Sequence, residues 1–427
     1  MNTGKKIKII ILGDGMADTP YAAGKDGEEP LPTPLMRAKT PVVGALASHS
    51  EIGLVKTVPD GMKPGSDIAN LSVMGYDPSK CYTGRSPLEA VSIGIKLKET
   101  DLALRCNLVT LGSAADFSGK VMTDYSADEI STEEGHELID GLAKYFRENG
   151  KNLLRNFDEN NAGFECFTFY GGVSYRNCLV VSNGVRGTEC TPPHDISGKK
   201  IGAYLPKGVY GAAFNAMMRE AYAFLSAHPV NLKRIERGLR PGNCIWLWGE
   251  GRKPALEDFD KLNGKTGAVI SAVDLIKGIG IAANMKIYEV EGATGTVNTN
   301  FKGKAKAVID AVKDGCDFVY LHIEAADESG HRGERANKIL SIEKIDGVIG
   351  YIKDNLDTMD VPYTLLFLPD HPTPLDIRTH TSDPVPYLMY SNVKELSNGI
   401  RTYDEISAKD GKYHGSGPEL FKRFLEI

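Results

Sequence analysis

The stretch KIKIIILGDG, residues 6–15, is a run of β-branched and aliphatic side chains that stops abruptly at Gly13-Asp14-Gly15. Ile7 to Leu12 reads as a strand buried on both faces, the pattern of a parallel sheet covered by helices on either side. The acid that follows is informative, because open α/β sheets bind ligands in the crevice beyond the carboxyl ends of their strands. Two later segments repeat the arrangement. Asp317 to Ile323 (DFVYLHI) runs into Glu324 and Asp327, and Thr364 to Leu368 (TLLFL) runs into Pro369-Asp370-His371. Three strands are therefore expected to end in loops that bear carboxylates or imidazoles.

Further along the chain, from about Ile95 to Leu262, the pattern changes. Short strands are expected at Thr168–Tyr170, Cys178–Val181 and Ile201–Tyr204, and helices at Ser131–Glu148 and Tyr210–Ser226, the latter from its Ala, Met and Leu density at three and four spacing. Alternating strand and helix return with GAVISAVDLIKG, residues 267–278, and with Ala305–Lys313. The expected fold class is α/β. A mostly parallel sheet with helices on both faces is built from residues 1–95 and 265–427, and residues 96–264 form an inserted α+β lid domain. No internal repeat or low-complexity tract is present.

Of the 427 residues, 41% are hydrophobic and 25% charged, the make-up of a globular protein. The net charge of −6 argues against nucleic acid as the main partner, since phosphate backbones are bound by an excess of Lys and Arg. The first apolar run is far shorter than the roughly 18 residues of a membrane span, and no small-residue cleavage site follows it. A cytoplasmic protein without membrane partners is expected. Cysteines 81, 106, 166, 178, 190, 244 and 316 include no CxxC pair, so reduced thiols are expected rather than a disulfide framework or a zinc ribbon.

The strongest chemical signal is Asp327-Glu-Ser-Gly-His331, followed by Asp370-His371 and then His380. Mixed carboxylate and imidazole donors suit divalent Mn, Zn or Mg, and with Asp14 they suffice for two ions, the arrangement that clamps a phosphoryl group. The alternative for each histidine is an ordinary core or surface residue. Histidines 322, 331, 371, 380 and 414 all fall in the last quarter of the chain, which weighs against chance clustering. A second signal is PGSDIANL, residues 64–71, where a glycine turn leads into a helix beginning at Ser66-Asp67. A serine there serves either as a simple N-cap or as a nucleophile supported by helix amides and a nearby cation; the spacing leaves both open.

The strings GDGMAD (13–18), PGSDIANLSVMGYDP (64–78), YTGRSPLEA (82–90), LHIEAADESGHRGE (321–334), LPDHPTP (368–374) and RTHTSDPVPY (378–387) together resemble the archaeal-type cofactor-independent phosphoglycerate mutases of the alkaline phosphatase superfamily. The likeness runs end to end. It implies that Asp14, Ser66, Asp370 and His371 surround one divalent ion and that Asp327, His331 and His380 hold a second, with Mn, Zn, Co and Mg all compatible. It implies Ser66 as phosphoryl acceptor in the interconversion of 3-phosphoglycerate and 2-phosphoglycerate, with no bisphosphoglycerate required. Lys277, in SAVDLIKGIG, stands where the family places a lysine that neutralises the transferring group; the alternative is a solvated lysine near a helix C-terminus.

Arginine is the natural ligand for a carboxylate or phosphate because its fork bonds both oxygens at once. Arg105, Arg176 and Arg252 are the candidates in the insert. Asp124 and the pair His194-Asp195 lie in strings similar to the family's and are expected to act on the glycerate hydroxyls as acid and base. His414, in KYHGSGPE, lies where the chain departs from the family and reads as a loop histidine. The rival readings keep the fold and change the acceptor, to a homoserine-kinase-type enzyme or a phosphatase. A formylglycine sulfatase is disfavoured because there is no Cys-x-Pro-x-Arg string. A non-enzymatic metal-binding scaffold is disfavoured because every ligand and nucleophile position of the pattern is filled.

Overall fold

In the computed structural model, which describes residues 6–20, 32–153 and 166–427, the opening run forms strand β1, Ile7–Gly13, with every residue buried. The chain groups into two units. One joins the residues up to Tyr82 to Ala255–Ile427, and the other is Thr83–Pro254; the sequence expectation draws its cuts at 95/96 and 264/265. Local packing accounts for the observed division. Ser86 Oγ accepts the Arg105 N–H at 3.0 Å, and Ala90 and Ile95 cluster with Ala103, Cys178 and Val180, so this segment goes with the second unit. Phe259 packs on Phe318 with ring centroids 4.4 Å apart, which ties its segment to the first.

After β1 the first unit contains helices α1 (Pro34–Arg37) and α2 (Pro41–Ala47), strand β2 (Glu51–Val55), and helices α3 (Ser66–Val73) and α4 (Pro78–Cys81). The second unit runs α5 (Ser86–Ser92), β3 (Leu102–Leu111), β4 (Met122–Asp124), α6 (Thr132–Leu153), β5 (Phe167–Tyr170), β6 (Arg176–Val181), β7 (Thr188–Glu189), β8 (Lys207–Gly208), α7 (Gly211–Ser226), α8 (Pro229–Glu236) and β9 (Cys244–Arg252). The chain then re-enters the first unit with α9 (Phe259–Asn263), β10 (Gly267–Ile270), α10 (Asp274–Ala282), β11 (Lys286–Ile287), α11 (Phe301–Lys313) and β12 (Phe318–Ile323). It closes with α12 (Ala325–Arg332), α13 (Arg335–Thr358), β13 (Tyr363–Leu368), β14 (Val385–Ser391), β15 (Lys412–His414) and α14 (Gly417–Glu426).

The sheet of the first unit has the order β11-β10-β12-β1-β13-β14-β2-β15. β1 is parallel to both neighbours, with Gly13 opposite Ile323 and Leu12 opposite Leu368. The three strands singled out from sequence are thus adjacent and finish level, which brings their ionisable loops to one edge. β14 runs antiparallel to β13 and β2, so the sheet is mostly parallel. Successive side chains of β1 alternate between two helical layers. Ile7, Ile9 and Ile11 pack with Val308 of α11 and with Ile345 and Ile349 of α13. On the other face Lys8 Nζ donates to the Phe424 carbonyl of α14 at 2.8 Å. Each fully buried isoleucine contributes about 1.5–3 kcal/mol of transfer free energy, enough to fix β1 at the centre of the sheet.

The second unit is built on an antiparallel sheet in which β3 pairs with β4, β6 and β9, and β6 with β5. Leu138 and Leu142 of α6 and Phe214, Met217 and Met218 of α7 complete its core. α7 falls where the apolar spacing places it, and α6 covers the expected helix and runs on to Leu153. The strand expected at Ile201–Tyr204 is instead a single turn of 3-10 helix. Two of its backbone donors are used on the loop before β4 rather than on a ladder, Ile201 N–H to the Lys120 carbonyl and Gly202 N–H to that of Ser118. Among the described residues no helix is long and apolar enough to cross a membrane.

Candidate metal centre

Asp14 is the first residue beyond β1, and Asp370-His371 follow β13 by one residue. Gly15 turns the chain sharply with φ +61°, and a Cβ at this position would lie 2.5 Å from Asp327 Oδ1. Only glycine meets both demands. The Gly15 and His371 N–H groups both donate to Asp370 Oδ1, at 3.1 and 2.9 Å. On α12, Asp327 and His331 are four residues apart and share one face, and His380 reaches the same place from the loop before β14.

Two sets of ligand atoms converge: Asp14, Asp370 and His371, and Asp327, His371 and His380, each within 4.8 Å. His331 joins the second, with Nε2 at 2.9 Å from His380 Nε2 and 3.2 Å from Asp327 Oδ2. His380 Nε2 is 3.4 Å from Asp327 Oδ1. His371 therefore borders both sets, whereas the sequence reading gives it to one. Its ring and that of His380 have centroids 4.0 Å apart.

The donor set fits divalent cations. Asp14, Asp327, Asp370 and His371 are all buried, and burying carboxylates together is costly unless positive charge compensates. Burial, followed by the charges of Asp370, Asp327 and Glu324, pushes the Asp14 carboxyl well above its usual range. Its Oδ1 is buried with no hydrogen-bond partner, as expected of an oxygen reserved for a metal ion. For Asp327, burial works upward but is outweighed by the imidazoles of His331 and His380, which hold it well below its usual range.

Ser66 is the first residue of α3, not its cap: Gly65 occupies the N-cap position and no side-chain cap bond forms. The hydroxyl is instead 3.2 Å from His371 Nε2, so it stands beside the first ligand set at the amide-rich end of a helix. Lys277 lies on α10, where Asp274 at 3.0 Å and Glu289 at 3.2 Å hold its ammonium. Burial opposes that charge, yet the two carboxylates prevail and its pKa is raised.

In the second unit, Arg105, Arg176, His194 and Asp195 gather around aromatic rings. Arg105 is buried over Trp248, 4.6 Å to the centroid, and Arg176 lies over Tyr175 at 4.4 Å. His194 meets the Trp248 edge, centroids 5.4 Å apart, and its Nε2 is 3.6 Å from Asp195. Burial lowers the His194 pKa, against the opposing charge of Asp195. Arg252 and Asp124 are differently engaged. Arg252 donates to the carbonyls of Glu99 and Gly184, and Asp124 accepts from Ser126, Asp128 and Arg240. His414 ends β15, buried, with Nδ1 3.1 Å from Glu419; it is a strand residue rather than a loop histidine.

Several site residues escape the sequence reading. Asn70, one helical turn beyond Ser66, donates to the Ser66 carbonyl at 2.8 Å and to Asp370 Oδ2 at 2.9 Å. Tyr320 donates in turn to Asn70 Oδ1 at 2.5 Å. Thr373 donates its hydroxyl to Asp327 Oδ1, and Thr57 its own to the Asp370 carbonyl. Glu89 spans Arg85 and Arg105, at 2.7 and 3.0 Å. The available signal for Asn70 is its i,i+4 spacing from Ser66; for Glu89 it is the i,i+4 acid after Arg85.

With this geometry in hand, comparison with known proteins is informative. The family profile of 2,3-bisphosphoglycerate-independent phosphoglycerate mutase matches residues 47–231. A protein of that name from Methanosarcina barkeri is 46% identical over 404 residues, covering 94% of each chain. A probable enzyme of the same name from Geobacter sulfurreducens is 45% identical, again over 94% of each chain. Among solved structures, a Pyrococcus horikoshii protein superposes with a TM-score of 0.76 at 27% identity, covering 99% of this chain and 98% of the other. The cofactor-independent phosphoglycerate mutase of Thermoplasma acidophilum gives 0.62 at 26% identity, covering 99% of both.

Proposed function

The chain belongs to the 2,3-bisphosphoglycerate-independent phosphoglycerate mutase family, and from that premise we propose that it interconverts 3-phosphoglycerate and 2-phosphoglycerate through a phosphoserine at Ser66. The observation that carries this reading is the Ser66 hydroxyl, 3.2 Å from His371 Nε2 beside the first ligand set. Two divalent ions, one held by Asp14, Asp370 and His371 with Ser66 and the other by Asp327, His331 and His380, would supply the positive charge that a transferring phosphoryl group requires.

The remaining chemistry belongs to the chain. Ser66 Oγ bonds to phosphorus as the bond from phosphorus to the substrate 3-oxygen breaks. The 2-hydroxyl of the same glycerate then takes the phosphoryl group and the serine hydroxyl is restored, so no external donor is consumed. The α3 amides favour negative charge at Oγ and on the phosphoryl oxygens. Asn70 fixes Ser66 against Asp370. Arg105 and Arg176 recognise the glycerate carboxylate, with Arg105 held in place by Glu89, and His194 beside Asp195 takes the hydroxyls. Lys277 adds cationic charge; Arg252 holds the carbonyls of Glu99 and Gly184, and Asp124 the turn at Ser126 and Asp128. Cysteines 81, 106, 178, 190, 244 and 316 are free thiols, which suits the reducing cytoplasm where we place the enzyme.

The test is turnover of 3-phosphoglycerate by the manganese-loaded protein without bisphosphoglycerate, coupled to enolase. Activity abolished by EDTA is expected. A metal-replete sample that produces no 2-phosphoglycerate overturns the proposal in favour of another acceptor.

A further inference from the structure

His322 stands apart from the ligands assigned above, although no histidine is more deeply buried and few are closer to the acids. It lies on β12 with zero exposure, its Nε2 2.9 Å from Asp14 Oδ2 and its Nδ1 3.2 Å from Ser271 Oγ. The Ser271 oxygen accepts the Val273 N–H at 3.0 Å, and its hydroxyl proton is free to point at Nδ1. We infer that His322 is a positioning residue for the metal centre: its Nε2–H donates to one oxygen of Asp14 and so aims the other, Oδ1, at the ion.

The hydrogen-bond pattern argues against the obvious alternative, that His322 is itself a ligand. With Nδ1 accepting from Ser271, the ring proton is on Nε2, and Nε2 has no lone pair to offer a metal. In the opposite tautomer a bare Nε2 would face Asp14 Oδ2 across 2.9 Å, two lone pairs in repulsion once a bound cation keeps the carboxylate ionised. Asp14 completes the argument, because its Oδ1 is the one buried oxygen of this carboxylate without a partner. One oxygen is tied to protein and the other is free to ligate. Ser271, His322 and Asp14 thus form a relay in which each member fixes the orientation of the next, the support that metal-binding residues commonly receive from their neighbours. The inference rests on the reading of Asp14 as a metal ligand.

The experiment is a manganese(II) titration of EDTA-stripped enzyme by calorimetry, with His322→Leu, His322→Gln and Ser271→Ala beside the wild type. His322→Leu is expected to weaken affinity by about 10–100-fold. His322→Gln, whose terminal amide places an N–H near the former Nε2, is expected to recover most of that loss. Ser271→Ala, which touches no ligand, is expected to produce a smaller weakening in the same direction. Wild-type affinity in His322→Leu overturns the inference, as does a glutamine variant that binds as poorly as leucine, since an imidazole ligand would behave that way. If the leucine variant does not fold, nitrogen-15 spectra of the wild-type imidazole decide: an unprotonated Nδ1 is expected, and a hydrogen on Nδ1 with a bare Nε2 overturns the assignment. A wild type that takes up no manganese at all overturns the metal-centre reading itself, and this inference with it.

Discussion

Asn70 is bonded to Asp370 across the base of the site, its amide nitrogen 2.9 Å from the carboxylate. The same nitrogen is 2.8 Å from the Ser66 carbonyl, so one side chain locks the helix carrying the proposed acceptor serine to the strand end carrying a proposed metal ligand. Asn70→Ala is expected to lower kcat by about 10–100-fold and to weaken metal affinity together. It also strands the buried Tyr320 hydroxyl, at about 1–3 kcal/mol of stability. Steady-state kinetics with a manganese titration and a urea melt check the three effects; unchanged metal affinity would break the proposed linkage.

Ser66→Ala is expected to reduce turnover by on the order of 10⁴-fold or more, while folding and metal content stay at wild-type levels. Intact-mass analysis of enzyme quenched during turnover should show phosphorylated protein for the wild type and none for the variant. Substantial activity in Ser66→Ala excludes the serine as acceptor.

Removing metal should destabilise the fold, because Asp14, Asp327 and Asp370 are buried together. Ions that bind only the native state stabilise it by about 2.7 kcal/mol at a hundredfold excess over Kd. A lower Tm is therefore expected in EDTA, restored by Mn. His331→Ala and Asp370→Ala are expected to lower metal stoichiometry by elemental analysis; full occupancy in both variants contradicts the ligand assignment.

Acid stability should depend on Glu51, the first residue of β2. Burial tends to raise its pKa, but the His414 imidazole, 4.0 Å away, and hydrogen bonds from Arg423 and Tyr387 outweigh that and lower it from 4.5 to about 2. A depressed folded pKa means that the stabilisation is complete above the unfolded value and is lost as pH falls from about 4.5 towards 2. Glu51→Gln should be less stable than wild type at neutral pH by on the order of 2 kcal/mol, and the gap should narrow by pH 3. Denaturant melts across this range check it; a gap independent of pH refutes it.

The fold was legible where hydrophobic runs were interrupted by charge. β1, β12 and β13 each announce their buried span and their functional end in consecutive residues, because a parallel strand needs an apolar body and presents its ligands immediately after it. The turn at Ile201–Tyr204 was not legible, since a four-residue apolar segment carries no period and its hydrogen-bond partners lie about eighty residues earlier. The same limit hid His322 and Asn70. A polar residue within an apolar segment looks alike whether it meets solvent or a partner, and their partners stand 308 and 300 residues away in sequence. Asp14, Asp370 and His371 were readable as chemistry, but the position of His371 at the border of both ligand sets depends on how two strand ends align, which sequence spacing does not encode.

The central position of β1 also constrains how the polypeptide is made. Its two neighbours, β12 and β13, lie at residues 318–323 and 363–368, so the ribosome must complete most of the chain before the first strand acquires either hydrogen-bonded partner. Throughout that interval IIIL at residues 9–12 is an unpaired, strongly apolar segment, the kind that aggregates or recruits chaperones. The second unit is continuous from Thr83 to Pro254 and has all its strands in hand far earlier. Translation therefore delivers the inserted unit first and the catalytic sheet last, and a nascent chain stalled before residue 318 carries every residue of β1 with neither of its neighbours to pair with.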